Sequence, residues 1–128
     1  MNSELRDLLM KAYTPHDDLK FACIVRMDDG TIFKGVSVKN SVFRDGIYAE
    51  QIAIASAITA GYKKGDFKEI NVMVSSGSIG TPCFVCRQLL NEFFDEDACI
   101  RCFSTNGEYR EYQVKELCPY PFGSVDLK

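Results

Sequence analysis

The sequence has no long apolar run and no cluster of basic residues, and each absence excludes a class of function. No apolar stretch approaches the roughly 20 residues that a membrane-spanning helix needs. The net charge is −3, from 15 basic and 18 acidic residues. A nucleic-acid partner requires clustered Lys and Arg side chains that neutralise phosphates. We therefore expect neither a membrane nor a nucleic acid as a partner.

The N-terminus also lacks the charged segment followed by an apolar segment that marks a secretory signal. We therefore expect a cytoplasmic protein. Its six cysteines should then be thiols, metal ligands or small buried side chains rather than disulfides. The only histidine, His16, lies in a predicted turn beside two aspartates, and we interpret it as a surface residue.

A chain of 128 residues, 46% of them hydrophobic, is long enough to bury a core without disulfides or a metal. We predict one domain over residues 1–128. Alternating strands and helices imply crossover connections, and hence helices on both faces of a sheet. The predicted fold is α/β, a three-layer α/β/α domain with a five-stranded mixed sheet. Predicted helices cover residues 3–12 (with Ser3 as a possible cap), 47–62, 81–94 and 115–117; predicted strands cover 21–27, 31–38, 70–75, 98–103 and 108–113; a polar loop covers 40–46.

Two cysteines stand at a predicted helix start. Thr81 is a suitable N-cap, Pro82 suits the first helical position, and Cys83 and Cys86 follow within the first turn. The partial positive charge of a helix N-terminus favours thiolate over thiol, and so favours binding of a soft metal. A single pair of this spacing leaves three interpretations open, namely half a metal site, a redox dithiol or simple packing.

Glu50 lies near the start of the most apolar predicted helix, where an unpaired carboxylate is unfavourable. One interpretation is that this acid only complements the helix dipole. The other is a general acid/base whose pKa is tuned by burial or by a nearby metal. The sequence alone does not choose between the two.

Cys99 and Cys102 form a second pair with the same spacing, which suggests a zinc ribbon. We reject that interpretation because residues 98–103 are predicted to be a strand. Residues three apart in a strand point to opposite faces and do not share one metal ion. Cys23 is predicted to be in the core, and Cys118 to be a packing residue.

Four motifs, spread over nearly the whole chain, carry a resemblance to one family. Tyr48-Ala49-Glu50 stands where that family has Cys-Ala-Glu, and the run from Pro82 to Gln88 matches its Pro-Cys-x-x-Cys-Arg-Gln. The supporting motifs are 12–15, similar to its Ala-Tyr-x-Pro, and 116–122, similar to its Glu-Leu-Leu-Pro-x-x-Phe. On these motifs the chain resembles the cytidine deaminase family, the small zinc-dependent nucleoside deaminases, including the blasticidin-S deaminase branch.

The resemblance implies hydrolytic deamination of a cytidine-like nucleoside or aminopyrimidine compound, such as cytidine, deoxycytidine or blasticidin S. It implies that Cys83 and Cys86 bind Zn²⁺, which lowers the pKa of a bound water to about 7. It implies that Glu50 carries the proton from that water to the pyrimidine ring and then to the departing amine. The implied substrate contacts are Leu19, Asn40, Ala49, Thr81 and Phe122.

The resemblance further implies a homo-oligomer, a tetramer or a dimer, in which Phe122 reaches the site of a neighbouring subunit. The chain departs from the family at four positions, one of which is Leu19, where the family has a phenylalanine that stacks on the base. Tyr48 occupies the place of the third zinc ligand, although a phenol with a pKa near about 10 is an unusual zinc ligand. Gln51 replaces an arginine, and Lys39 replaces the acidic residue that contacts a ribose hydroxyl.

Two alternatives to a zinc-dependent deaminase therefore remain. The first is a catalytically impaired or inactive family member that binds a small ligand or a partner without zinc, because Tyr48 replaces a ligand. The second is a thiol redox protein that uses Cys83 and Cys86.

Overall fold

A five-stranded mixed sheet forms the centre of the protein, as predicted. The computed structural model describes residues 1–43 and 46–127. The strand order is β2-β1-β3-β4-β5; β3 and β4 run parallel, and the other neighbouring strands run antiparallel. The strands are β1 (Phe21–Met27), β2 (Ile32–Val36), β3 (Phe67–Val74), β4 (Phe94–Phe103) and β5 (Tyr109–Gln113).

Helices cover both faces of this sheet. They are α1 (Asn2–Leu9), α2 (Ala49–Thr59), α3 (Phe84–Phe93) and α4 (Val114–Leu117), with a final 3₁₀ turn at Ser124–Leu127. Ala22 and Ile24 of β1 pack with α1, whereas Cys23 and Val25 pack with the core that α2, α3 and α4 share. Because successive strand residues point to opposite faces, the helices form separate outer layers. The predicted three-layer α/β/α arrangement is confirmed.

Several predicted boundaries were wrong by a few residues. The first helix was predicted to reach residue 12 but ends at Leu9, and Met1 rather than Ser3 occupies its N-cap position. The second was predicted to begin at residue 47 but begins at Ala49, because Ile47 is extended and pairs with Val38. The strand predicted from residue 98 begins at Phe94, directly after α3. In the predicted loop 40–46, residues 44 and 45 lie outside the described residues.

The prediction that Thr81 caps the third helix was also wrong. The N-cap is Cys83, and α3 begins at Phe84. The Thr81 hydroxyl accepts a hydrogen bond from an Arg87 Nη atom at 2.8 Å, and the carbonyl of Pro82 accepts one from Arg87 Nε at 2.7 Å. The Arg87 side chain thus holds residues 81–82 outside the helix, and Cys83 occupies the N-cap position.

One glycine allows α2 to lie directly on the sheet. A Cβ atom on Gly35 of β2 would lie 2.1 Å from the carbonyl oxygen of Ala49 and 2.8 Å from the nitrogen of Ala53. These distances are far below van der Waals contact, so a side chain at residue 35 would displace the first turns of α2. The glycine thereby determines where Glu50 lies. Within residues 1–43 and 46–127, no helix has both the length and the apolar character needed to cross a membrane.

Candidate active site

A cavity of about 350 Å³ lies where the starts of α2 and α3 meet the start of β1 and the end of β3. Its walls are mostly apolar, and its polar side chains come chiefly from the two helix starts and the turn before α3. The lining residues are Leu19, Phe21, Ala22, Tyr48, Glu50, Val72, Met73, Val74, Ser76, Gly80, Thr81, Pro82 and Cys83. A largely apolar cavity with a few convergent polar groups is typical of a small-molecule site.

Tyr48 lines this cavity from the N-cap position of α2. Its backbone is extended, with φ −75° and ψ 146°, because the preceding residue still pairs with Val38. The backbone N–H of Tyr48 donates a hydrogen bond to the Gln51 side-chain oxygen at 3.0 Å. Gln51, which stands where the resembled family has an arginine, therefore stabilises the start of α2.

Glu50 is a buried carboxyl group, with 6% of its surface exposed. Burial raises the pKa of Glu50 above its ordinary value, while its own backbone N–H and the Cys86 thiol act in the opposite direction through hydrogen bonds. A buried carboxyl group whose pKa is raised, at the edge of a cavity, is suited to proton transfer. This position favours the acid/base interpretation of Glu50 over simple dipole complementation.

Cys86 lies beneath the cavity and is completely buried, whereas Cys83 is exposed and lines it. Burial raises the pKa of the Cys86 thiol, and the nearby Glu50 carboxylate and Cys83 raise it further. The Cys86 side chain is hydrogen-bonded to both of these neighbours. Burial and the negative neighbours of Cys86 therefore oppose the effect of the helix start, which favours the thiolate.

The cysteine pair and Tyr48 can be compared with the donors that zinc requires. Catalytic zinc ions commonly have three protein ligands, drawn from Cys, His, Asp and Glu side chains. Among the residues that the structure describes, no group of three such side chains is arranged to hold a metal ion. Cys83 and Cys86 fit zinc as two sulfur donors. Tyr48, at the position of the third ligand in the resembled family, also lines the cavity.

The predicted substrate contacts divide into two groups. Leu19 and Thr81 line the cavity, and Ala49 is completely buried in the first turn of α2. Asn40 is exposed and is not among the lining residues; its side-chain oxygen accepts hydrogen bonds from two backbone N–H groups of its own turn. Phe122 also lies outside the lining residues, and its side chain is 59% exposed.

Phe122 nevertheless has a well-defined backbone position. Its carbonyl oxygen accepts hydrogen bonds from the side-chain amides of Gln88, at 2.7 Å, and Asn91, at 3.2 Å. Both donors lie on α3. The aromatic ring therefore projects from the surface of a tail segment that is attached to the helix carrying Cys86.

Several cavity residues could not be predicted from motifs. Phe21, Val72 and Val74 line the cavity because β1 begins and β3 ends at its edge. Their sequence signal is only that of apolar strand residues, which does not distinguish a cavity wall from a packed core. Lys39 was noted only as a replacement, yet its side chain is buried against the same wall.

The other cysteines agree with the predictions made for them. Cys102 is completely buried in the core shared by α2 and α3, whereas Cys99 is half-buried on the opposite face of β4. Burial, followed by the Glu50 carboxylate, raises the pKa of Cys102 to about 12. Cys23 is completely buried, and the Cys118 thiol donates to the carbonyl oxygen of Arg87 at 3.4 Å. The zinc-ribbon interpretation is excluded because Cys99 and Cys102 point away from each other.

Comparisons with known proteins agree with this geometry. Residues 3–102 match the family model described as the cytidine and deoxycytidylate deaminase zinc-binding region. The cytidine deaminase of Mycoplasma genitalium is 33% identical over 114 residues, which cover 89% of this chain and 86% of that protein. The blasticidin-S deaminase of Bacillus cereus is 27% identical over 106 residues, 77% of this chain and 73% of that protein.

The fold agrees as well. The crystal structure of cytidine deaminase from Burkholderia pseudomallei superimposes with a TM-score of 0.87 at 28% identity, and the match covers 94% of each chain. The predicted resemblance and fold class are thus confirmed. Because the family model spans most of the sequence, the chain belongs to the cytidine and deoxycytidylate deaminase family.

Proposed function

We propose that the chain hydrolyses the exocyclic amino group of a cytidine-like nucleoside or aminopyrimidine compound in the cavity. The observation that carries this proposal is the buried Glu50 carboxyl group, which lies at the cavity and is hydrogen-bonded to Cys86 of the Cys83–Cys86 pair. Overall, water replaces the amino group, which leaves as ammonia while the ring carbon gains a carbonyl oxygen.

Cys83, Cys86 and the phenol oxygen of Tyr48 would hold Zn²⁺. When bound, zinc supplies a water molecule of lowered pKa. The Glu50 carboxylate would accept a proton from the attacking water and pass it to the pyrimidine ring nitrogen. It would then accept the second proton, from the new hydroxyl group on the ring carbon, and pass it to the amine, which leaves as ammonia. Burial suits Glu50 to this role, because its raised pKa brings proton uptake and release closer to neutral pH.

The remaining cavity residues bind and orient the ring. Leu19 and Phe21 offer apolar contacts to its face, while backbone groups of Ala49 and Thr81 hold its polar edge. Asn40 and Phe122, which lie outside the lining residues, contact only ligand groups that extend beyond the cavity. Phe122 projects from the surface, which supports a homo-oligomer, a tetramer or a dimer, in which its ring reaches a neighbouring cavity.

The experiment is turnover of cytidine, deoxycytidine and blasticidin S, followed by the loss of aminopyrimidine absorbance in zinc-supplemented protein. Glu50→Gln should abolish turnover, whereas Glu96→Gln, which alters an exposed carboxylate on β4, should not. Protein purified without added metal should contain about one zinc per chain. Absence of turnover with all three compounds in zinc-loaded protein would contradict the proposal.

A second candidate function is a metal-free binding protein. It is favoured by one observation, that among residues 1–43 and 46–127 no third Cys, His, Asp or Glu side chain completes a metal site beside Cys83 and Cys86. Protein treated with a chelator should then bind cytidine saturably in a calorimeter. Added zinc should neither change this affinity nor produce turnover. Turnover that disappears in Glu50→Gln would exclude this candidate.

A further inference from the structure

Lys39 is a buried cation beside the cavity wall, with only 8% of its side chain exposed. Its ammonium group donates to both carboxylate oxygens of Asp17, at 3.1 and 3.0 Å, and to the carbonyl oxygen of Leu19, at 3.1 Å. It also lies 5.6 Å from the ring centroid of Phe21. An ammonium group has three protons, so these acceptors use all of its donors and leave none for a ligand.

Asp17 connects this cation to the cavity wall. One of its carboxylate oxygens also accepts the backbone N–H of Leu19, at 3.0 Å. The hydrogen bond with Lys39 lowers the pKa of Asp17, so the carboxylate stays ionised near neutral pH. Because Leu19 and Phe21 line the cavity, the ion pair lies directly behind the wall that faces a ligand.

The same wall is attached to β3 on its other side. The backbone N–H of Lys20 donates to the Ser75 hydroxyl at 2.8 Å, and that hydroxyl donates to the carbonyl oxygen of Asp18 at 3.2 Å. The backbone N–H of Ser75 donates to the carbonyl oxygen of Lys20 at 2.9 Å. These neutral bonds hold one edge of residues 17–21, and the Lys39–Asp17 pair holds the other.

Lys39 itself lies on a segment that leads to the catalytic helix. Its backbone N–H donates to the carbonyl oxygen of Tyr13 at 2.8 Å, and the preceding residue, Val38, pairs with Ile47. Ile47 is adjacent to Tyr48, which lines the cavity. The ion pair therefore joins the Leu19–Phe21 wall to the chain that positions the start of α2.

We propose that Lys39 and Asp17 form a clasp that sets the position of residues 17–21 against the cavity. Lys39 is thereby a positioning residue, which controls how tightly the ring is held rather than how protons are transferred. This inference rests on the proposed function, because it concerns the same cavity.

The two partners of the clasp differ in burial, so removing one should have a larger effect than removing the other. Removing Asp17 leaves a buried ammonium group without its counter-charge, which is strongly unfavourable. Removing the Lys39 ammonium group leaves a carboxylate that is 44% exposed and remains hydrated. Asp17→Asn should therefore disturb the wall more than Lys39→Met does.

The first test is hydrogen exchange of the backbone amides of Leu19 and Lys20, which requires no ligand and no activity. Asp17→Asn should accelerate their exchange by about tenfold or more, and Lys39→Met should accelerate it by less. Asp17→Glu, which keeps the carboxylate, should exchange about as slowly as the wild-type protein. The matched control is Lys115→Met, which removes an exposed ion pair with Asp97 at 2.8 Å. Unchanged exchange at both amides in Asp17→Asn and Lys39→Met would overturn the clasp.

The second test is steady-state turnover of cytidine, with calorimetric binding of cytidine as a parallel measurement. Asp17→Asn should raise KM, or Kd, by about tenfold while kcat changes by less than about twofold. Lys115→Met should change neither. Faster exchange with unaltered cytidine affinity would overturn the inferred control of binding. If wild-type protein neither binds nor turns over cytidine, the proposed function fails, and the exchange result still decides whether the clasp exists.

Discussion

Charged side chains have opposite surroundings on the two faces of the sheet. On the face that α1 partly covers, a row of charges crosses four strands: Glu69 on β3 pairs with Arg26 on β1, at 3.1 Å, and with Arg101 on β4. Arg101 in turn pairs with Glu111 on β5 at 2.7 Å. These side chains are partly exposed and have opposite charges as neighbours, so they stabilise the alignment of the strands.

On the other face, Glu50 is buried with a thiol as its side-chain neighbour. Among the described residues, no ion pair includes Glu50. Burial without a cation raises the pKa of Glu50, which is unfavourable for stability but useful for moving a proton. The comparison teaches that a paired carboxylate supports the fold, whereas a buried one without a cation is available for chemistry.

The largest expected effect comes from neutralising these two glutamates separately. Glu50→Gln should reduce kcat for cytidine by at least about 100-fold, with stability unchanged or increased, because a buried carboxyl group becomes a neutral isostere. Glu69→Gln should lower the free energy of unfolding by about 1–3 kcal/mol and leave kcat nearly unchanged. Urea unfolding and steady-state kinetics of both variants measure the contrast. Equal losses of kcat in the two variants would break the comparison.

The next effect tests what positions Glu50. Gly35→Ala introduces a Cβ atom 2.1 Å from the Ala49 carbonyl oxygen, so the first turn of α2 must move. We expect a loss of about 1–3 kcal/mol in unfolding free energy, together with a fall in kcat. Gly107→Ala is a useful control for the loss of a glycine, since a Cβ atom there meets nothing within 4 Å, although its φ of +98° adds local strain. A loss of kcat confined to Gly35→Ala would link the close contact to the active site.

A smaller effect is expected in the zinc affinity of the cavity that Glu50 lines. Tyr48→Cys adds a third thiol to the wall that already carries Cys83. Its zinc affinity, measured by competition with a chromophoric chelator, should rise by about tenfold or more. Zinc binding no tighter than that of the parent protein would mean that residue 48 does not face the ion.

The smallest effect is expected at Asp29, an exposed carboxylate in the turn between β1 and β2. The Tyr62 hydroxyl donates to Asp29 at 2.7 Å and is the main cause that holds the pKa of Asp29 below its ordinary value. A carboxyl group with a depressed pKa contributes stability above its unfolded-state pKa, and this contribution is lost as pH falls through the folded-state pKa. Tyr62→Phe should therefore raise the pKa of Asp29 and reduce this acid dependence. NMR titration of the Asp29 carboxyl carbon in both proteins measures the shift, and an unchanged Asp29 pKa in Tyr62→Phe would contradict this prediction.

Much of the fold was predictable because its signals are local. The strand at residues 21–27 was predicted with the boundaries that the structure has, since an apolar run followed by Asp28-Asp29-Gly30 specifies a strand and a hairpin turn. The helix starts were less predictable. Whether Thr81 or Cys83 caps α3 depends on Arg87, whose side chain reaches back to hold Thr81.

The candidate site was predictable where motifs carried it and not where packing did. Residue type and spacing singled out Glu50, Cys83 and Cys86, and the family resemblance supplied the roles predicted for them. The Lys39–Asp17 clasp was not predicted, because its two residues are 22 apart in the chain and no local pattern pairs them. The burial that raises the pKa of the Cys86 thiol was not predicted, since burial arises from contacts between residues distant along the chain.

The sequence by itself determined the order of strands and helices and the family, and it singled out Glu50, Cys83 and Cys86 as candidate site residues, because these follow from periodicity and motif. Only the tertiary structure decided which of those groups are buried, which charges find partners, and which loop becomes the wall of the cavity. The physical reason is that desolvation and ion pairing act between residues distant along the chain. Gly35 beneath α2 and Lys39 behind Leu19 are the clearest cases, since each exerts its effect through a contact that no local pattern encodes.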